Sequence, residues 1–214
     1  MPARQTEAII LRTYPLKEAD KIVSFFSRDM GKARGVARGA RRSKNRFGAA
    51  LESMSHVRLW CFERETRELL SIDNCELVES FFDLQKDYAR GVAVAYLTEV
   101  SEQLLPEREP QDAFFRLLLL ALGEIRRQGS IWGPVTYFDL WAVRLGGFLP
   151  DLGKAPLSDE SRSLAAEMLA ASLATLPARE WKKSTAQDLR RWLNRLIEAH
   201  VERKLITRPM LEGL

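Results

Sequence analysis

Seven basic side chains fall within "GKARGVARGARRSKNRFG", residues 31–48, alongside four glycines and no acid. They are Lys32, Arg34, Arg38, Arg41, Arg42, Lys44 and Arg46. An average share of the chain's acids would place two or three in a stretch of that length. The chemistry open to such a segment is neutralisation of an anionic polymer. Long cationic side chains pair with phosphate oxygens, and Gly31, Gly35 and Gly39 let the backbone come close and take positive φ. The other reading is a solvated surface loop. The chain has 33 Lys+Arg and 29 Asp+Glu, so removing these seven leaves 26 basic residues against 29 acidic, a net of −3. The basic character therefore sits in one place, which implies an anionic partner more strongly than a uniformly basic surface does.

Residues able to build a catalytic centre are scarce. There are two histidines. His56 lies in a strand pattern and His200 on the apolar stripe of the last helix, so both read as core or boundary residues. No GxSxG, HExxH or GxGxxG occurs. Gly31-Lys32 lacks the phosphate-loop context, because position 26 is Phe rather than Gly and position 33 is Ala rather than Ser or Thr. Glu18 and Asp20 read as a solvated strand-edge pair. Cys61 and Cys75 stand fourteen apart with no CxxC pattern and read as buried free thiols of a reducing compartment. No nucleophile, base and oxyanion group come together. The expectation is a non-enzyme with no metal and no cofactor.

These residues need elements to hold them. At 214 residues, 46% hydrophobic and 29% charged, the chain can bury a sizeable core. "MPARQTEAIILRTYPL" has too short an apolar run for a signal peptide, and "RLLLLALGEI" is too short to span a bilayer, so the expected setting is cytoplasmic, away from membranes. The first eighty residues show short, alternating segments broken by turn residues. The pattern predicts strands over 7–14, 20–27, 32–37, 55–62 and 68–78, with the basic stretch between the third and fourth. Five short strands in that span suit a small closed barrel, the OB-fold being the commonest choice. Base stacking would need exposed aromatics. Tyr14, Phe25, Phe26, Phe47, Trp60 and Phe62 lie in or near these segments, and most must fill the barrel.

From residue 81 the period becomes 3.6. Ala89, Val92, Ala93, Tyr96, Leu97, Val100 and Leu104 mark a first helix. "PQDAFFRLLLLALGEIRRQ" is apolar nearly all round and reads as the central buried helix. Pro134 opens a third helix, closed by Gly146-Gly147. Ser158 with Asp159 and Glu160 starts a fourth that runs to Pro177. The last carries Leu189, Trp192, Leu193, Leu196, Ile197, His200 and Val201 on one stripe. Trp132, Trp141, Trp181 and Trp192 read as core residues of this half. The expected class is α+β, with a five-stranded OB-fold barrel over residues 1–80 and an all-helical domain over 81–214.

The run "EAIILRTYPLKEADKIVSFFSRDMGKARGVARGARRSKNRFGAALE" closely resembles the N-terminal region of the RecO family of bacterial recombination mediators. The shared positions here are Ala8-Ile9-Ile10-Leu11, Glu18-Ala19-Asp20-Lys21-Ile22-Val23, Ser27 with Gly31-Lys32-Ala33-Arg34, and Val36-Ala37-Arg38-Gly39-Ala40-Arg41-Arg42. "YFDLWAVRLGGFLPDL" (137–152) and "LNRLIEAHVERKL" extend the likeness over most of the chain. The resemblance implies an OB-fold followed by a helical domain, binding of single- and double-stranded DNA, strand annealing, and association with RecR. It implies that the pair helps RecA load on DNA coated by the single-strand binding protein SSB. Many members carry a four-cysteine zinc module after the "P-D-L" element. Here Pro150-Asp151-Leu152 runs into "GKAPLSDESRS" without cysteine, so no metal carries over.

On this reading the basic stretch neutralises phosphates of two strands and lowers the repulsion that opposes annealing, at a nucleoid-associated site. SSB ends in an acidic, apolar-tipped tail, which suits a hydrophobic groove rimmed by arginine. Arg116, Arg126, Arg127 and Arg144 are the helical candidates for that partner surface. Two rival readings share the basic barrel. One is an RNA-binding OB-fold protein of translation or RNA processing, which would prefer strands bearing 2′-hydroxyls. The other is a scaffold that docks an acidic protein.

Overall fold

The computed structural model describes residues 4–64, 67–127, 129–176 and 179–214. They form two compact units, Met1–Lys86 with Leu105–Phe115, and Asp87–Leu104 with Arg116–Leu214.

The first unit contains β1 (Arg4–Leu16), β2 (Asp20–Ser27), β3 (Gly31–Ala37), β4 (His56–Arg64) and β5 (Arg67–Glu79). They close into a barrel in the order β1-β2-β3-β5-β4, the OB-fold arrangement. All neighbours are antiparallel except β3 and β5. Period-2 alternation explains why these segments become strands. Ala8 and Ile10, Val23 and Phe25, Ala33 and Ala37, Val57 and Leu59, and Ile72 and Cys75 point inward to one core. The interior is narrow. A Cβ on Gly35 would lie 2.8 Å from Ile72 Cγ1, so glycine is what lets β3 approach β5 there.

The parallel pairing covers only Gly35–Ala37 against Leu70–Ile72. The first half of β3 finds another partner. Lys32 forms an isolated bridge with Glu107, and Arg108 N donates to Lys32 O at 2.8 Å. Residues 105–115 thus belong to the barrel unit.

The second unit holds α1 (Tyr88–Leu104), α3 (Trp132–Leu145), α4 (Asp159–Ala170), α5 (Gln187–His200), α6 (Arg208–Glu212) and, from Arg116, most of α2 (Asp112–Arg127). The central helix is α3, not α2 as the composition suggests. Every α3 residue from Gly133 to Leu140 is buried, and it packs against α1, α4 and α5. In α2, Asp112, Ala113, Arg116 and Arg127 are exposed and Leu119 and Leu120 only half-covered. α4 begins as expected, with Ser158 Oγ accepting from Ser161 N. It ends at Ala170 rather than Pro177, and Ala171 turns extended. Side chains of α3 take up the carbonyls exposed there. Trp141 Nε1 donates to Met168 O at 3.0 Å and Tyr137 Oη to Ala171 O at 3.4 Å. On α5 the expected stripe buries Leu189, Trp192, Leu193 and Ile197. His200 departs from it, being exposed and stacked on Phe148 with ring centroids 4.0 Å apart. No helix among the described residues is long and apolar enough to cross a membrane.

Candidate nucleic-acid interface

The basic stretch is pinned at several points. Lys32 and Arg34 sit on β3, and the other five cations lie on the connection from β3 to β4. Ala40 and Phe47 bury 6% and 3% exposed in the barrel core, joined by Ala50 and Leu51 of a short 3-10 turn. Burial of these apolar groups holds the connection against the barrel end while the cations between them remain in water. Polar contacts fix the path. Gly39 N donates to Asp20 Oδ1 at 2.8 Å and Arg41 N to Ala19 O at 2.9 Å, while Arg41 Nη1 reaches Lys17 O at 2.7 Å. Asn45 Oδ1 accepts from Phe47 N and Gly48 N, both at 3.0 Å, closing a turn. The stretch is therefore a folded lobe with its cations in water, and not simply a solvated loop.

Within the lobe the seven cations divide. Lys32 Nζ lies 3.5 Å and Arg34 Nη2 3.9 Å from Glu107 Oε1, and the Lys32 side chain is only 12% exposed. Arg46 Nη2 lies 3.8 Å from Asp73 Oδ1, its guanidinium also over the Phe47 ring. Arg38, Arg41, Arg42 and Lys44 are exposed, and among the described residues no carboxylate lies within ion-pair reach of them. These four are clustered along seven residues.

The glycines divide as well. Gly31 has φ +74°, and a Cβ there would lie 2.2 Å from Glu109 O, so it makes room for the 107–109 segment. Gly35 serves the β3–β5 contact. Gly39, at φ +71°, faces open surface, with no atom nearer than Arg42 Cδ at 3.7 Å to a Cβ placed there. Close approach of an outside chain is open at Gly39 alone of the three.

The hairpin brings further cations that sequence spacing did not group with the lobe. Lys17, exposed in the β1–β2 turn, receives Arg41 at its carbonyl, and Lys21 pairs across Ala37. Arg12 and Arg34 both pair with Ser24, one from each side. Strand alternation with hairpin register is the signal that links them.

Of the aromatic candidates, Phe25, Phe26 and Phe47 are buried, Trp60 and Phe62 half-covered, and Tyr14 is 44% exposed. His56 sits half-buried against Phe115, with ring centroids 5.8 Å apart, and burial holds its imidazole below the usual range. Cys61 and Cys75 are buried free thiols, pushed up by burial to about 11 and about 12, far from thiolate chemistry at neutral pH.

The helical candidates do not share one pocket. Arg116 and Arg127 lie eleven residues apart on α2, about 16 Å along the axis at ~1.5 Å per residue. Arg127 is tied to Glu124 at 2.6 Å, and Arg126 is half-buried. Arg144 lies over Trp141 and borders a cleft of about 560 Å³ lined by Leu149, Pro150, Leu152 and Leu169 with Asp151. That cleft joins Arg144 to apolar side chains. Of the four tryptophans of the helical half, Trp192 is buried, while Trp132, Trp141 and Trp181 are half-covered, with arginines over their rings.

Comparison with known proteins gives a consistent result. The sequence profile of "Recombination protein O N terminal" matches residues 1–81, and that of "Recombination protein O C terminal" matches residues 85–154. A protein of Koribacter versatilis described as DNA repair protein RecO is 41% identical over 242 aligned positions, covering 99% of each chain. The RecO of Symbiobacterium thermophilum is 37% identical over 160 positions, 71% of this chain and 60% of that one. An Anaeromyxobacter dehalogenans RecO is 27% identical over 240 positions, 96% of this chain and 94% of its own. The matches are to recombination and repair proteins, not to an enzyme family.

Proposed function

The chain belongs to the RecO family of DNA repair and recombination proteins, and from that premise we propose that it binds single- and double-stranded DNA through the lobe after β3 and promotes annealing of complementary strands. The observation that carries this reading is the group Arg38, Arg41, Arg42 and Lys44, four cations without carboxylate partners among the described residues, on a lobe anchored by Ala40 and Phe47. Lys32, Arg34 and Arg46 are held near Glu107 and Asp73, and DNA phosphates would compete with those carboxylates. A lobe that neutralises phosphates of two strands at once lowers their mutual repulsion, which is what annealing requires. Contacts to phosphate carry no sequence information, so binding is expected to be sequence-independent.

The barrel unit is the DNA-binding domain in this reading and the helical unit supplies partner surfaces. The partners are RecR and the acidic, apolar-tipped tail of SSB, with RecA loading as the downstream result, in the cytoplasm at the nucleoid. The cleft beside Arg144 has the chemistry such a tail needs, apolar walls with a guanidinium at the rim. No metal or cofactor is required.

The test is a salt titration of binding to a single strand. About four phosphate contacts at a slope of about −0.7 each give a fall of roughly 3 in log K per decade of salt. Replacing Arg38, Arg41 and Arg42 together by Ala is expected to weaken binding on all sequences alike and to flatten the slope by about 2. A triple variant with unchanged affinity and slope overturns the assignment. Parallel titration with RNA of equal length and with an acidic peptide separates DNA binding from the two rival readings. For the cleft, Arg144→Ala is expected to weaken an SSB tail peptide while leaving DNA affinity unchanged.

A further inference from the structure

We propose that Tyr14 is a base-stacking platform for single-stranded DNA, set between two groups of cations on the outer face of β1, β2 and β3; this deepens the DNA-binding reading above and rests on it. The register of the three strands defines the face. Val23, Phe25, Ala33 and Ala37 point into the core, so their neighbours point out. A register shift in β1 between Ile10 and Arg12 keeps that alternation in step with β2. The outward side chains form cross-strand rows. Ile9, Phe26 and Lys32 make the first, then Arg12, Ser24 and Arg34, then Tyr14, Ile22 and Val36.

The first row is covered by the barrel unit itself. Phe26 meets Phe114 and Phe115 with ring centroids 6.0 and 5.7 Å apart, and Ile9 is fully buried. The third row is open. Tyr14 is 44% exposed, with half-buried Ile22 and Val36 continuing an apolar strip across the three strands. At about 4.8 Å between strands the strip is about 10 Å wide, enough to receive a base. Arg12 and Arg34 flank it two residues away along β1 and β3, and Arg38 flanks it on the other side, leading into Arg41 and Arg42. The carboxylate of Asp20 on that side is engaged by Gly39 N. An exposed ring with cations before and after it matches a strand whose bases stack while its phosphates pair.

Charge separates Tyr14 from Trp60, a half-covered aromatic on another outer face. Trp60 lies in a row with Gln5 and Asn74, directly beside the row Glu7, Arg58 and Glu76. A phosphate chain crossing Trp60 meets two carboxylates in the neighbouring row, whereas one crossing Tyr14 meets Arg12 and Arg34, the latter 3.9 Å from Glu107 Oε1.

The test compares the full chain with Tyr14→Ala and Tyr14→Phe on a thymidine oligomer and on an abasic phosphodiester strand of equal length. Tyr14→Ala is expected to lose about 5- to 150-fold on the base-bearing strand, with the salt slope unchanged because no phosphate contact is removed. On the abasic strand it is expected to match wild type, and Tyr14→Phe is expected to keep wild-type affinity on both. Equal affinity of Tyr14→Ala and wild type on the thymidine strand overturns the platform, as does an equal loss on both strands. Wild-type protein that binds neither strand removes the DNA reading and the platform together, whereas wild-type binding with an indifferent Tyr14→Ala removes only the platform.

Discussion

The phenol oxygen of Tyr96 lies 2.9 Å from Asp139 Oδ1, and both residues are fully buried, one on α1 and the other on α3. The same phenol lies 2.7 Å from Asn194 Oδ1 on α5. One hydroxyl proton cannot serve both oxygens. A proton on Asp139 resolves the conflict, since the carboxyl then donates to Tyr96, Tyr96 donates to Asn194, and Asn194 Nδ2 donates to Arg190 O at 3.0 Å. Burial is the main force that keeps this proton on. The hydrogen bond that Tyr96 can donate to the ionised form and the charge of Arg190 oppose it, and the carboxyl titrates at about 7 instead of 3.8.

A pH dependence follows. The folded value lies above the unfolded one, so between about pH 4 and 7 the native state holds a proton that the unfolded chain has released. The associated stability is fully present below that window and lost as pH rises through 7. At its steepest the loss is about 1.4 kcal/mol per pH unit. Urea unfolding at pH 5 and pH 8 is expected to show Asp139→Asn losing less stability across the interval than wild type. Parallel curves for the two proteins would show that Asp139 does not titrate there.

Asp188 behaves in the opposite sense. Burial alone raises its carboxyl, but hydrogen bonds from Ser161 Oγ and from Ser158 N, the latter at 2.7 Å, outweigh that and bring it to about 2. It thereby ties the start of α5 to the start of α4. Asp188→Ala is expected to cost about 1.5–3 kcal/mol at pH 7, seen as a lower urea midpoint. Because the folded value is depressed, the difference between the two proteins should shrink as pH falls below 3.8 toward 2.

Phe47 and the arginines beside it are expected to separate stability from binding. Phe47→Ala empties a core position and should cost about 3–5 kcal/mol. The triple Arg38, Arg41 and Arg42 variant loses only exposed groups and the Arg41–Lys17 contact, so about 1 kcal/mol or less is expected. Thermal melts of the two variants, read beside their DNA affinities, check the pair.

Gly31→Ala is expected to destabilise the barrel unit by more than ~1 kcal/mol, because Ala at a positive φ is strained before any contact is counted. The backbone of Glu109 occupies the space a methyl group needs, so the 107–109 segment must also shift away from β3. Gly39→Ala carries the φ strain without the clash, and the difference in Tm between the two variants measures the contact.

Much of the architecture was legible in the sequence because it rests on local periodicity. Alternating apolar residues with turn residues between them place five strands within a few residues of where they lie. Ser158 marks the start of α4 through its own side chain, and the concentration of seven cations between acid-bearing neighbours needs no folding to be seen. What periodicity reports is which face of an element is apolar. It does not report how many neighbours surround that face, so the run Leu117–Leu122 suggested a central helix while α3, with Asp139 inside it, holds that place. The tertiary structure alone decided that Phe47 faces the core and Tyr14 the solvent, that Gly31 and Gly35 serve internal contacts while Gly39 lies open, and that Lys32 and Arg34 meet Glu107. Each of these depends on residues distant in the chain, brought together by the closure of β3 onto β5 and the return of residues 105–115. The energy of such contacts belongs to the pair and leaves no trace in the local pattern of either partner.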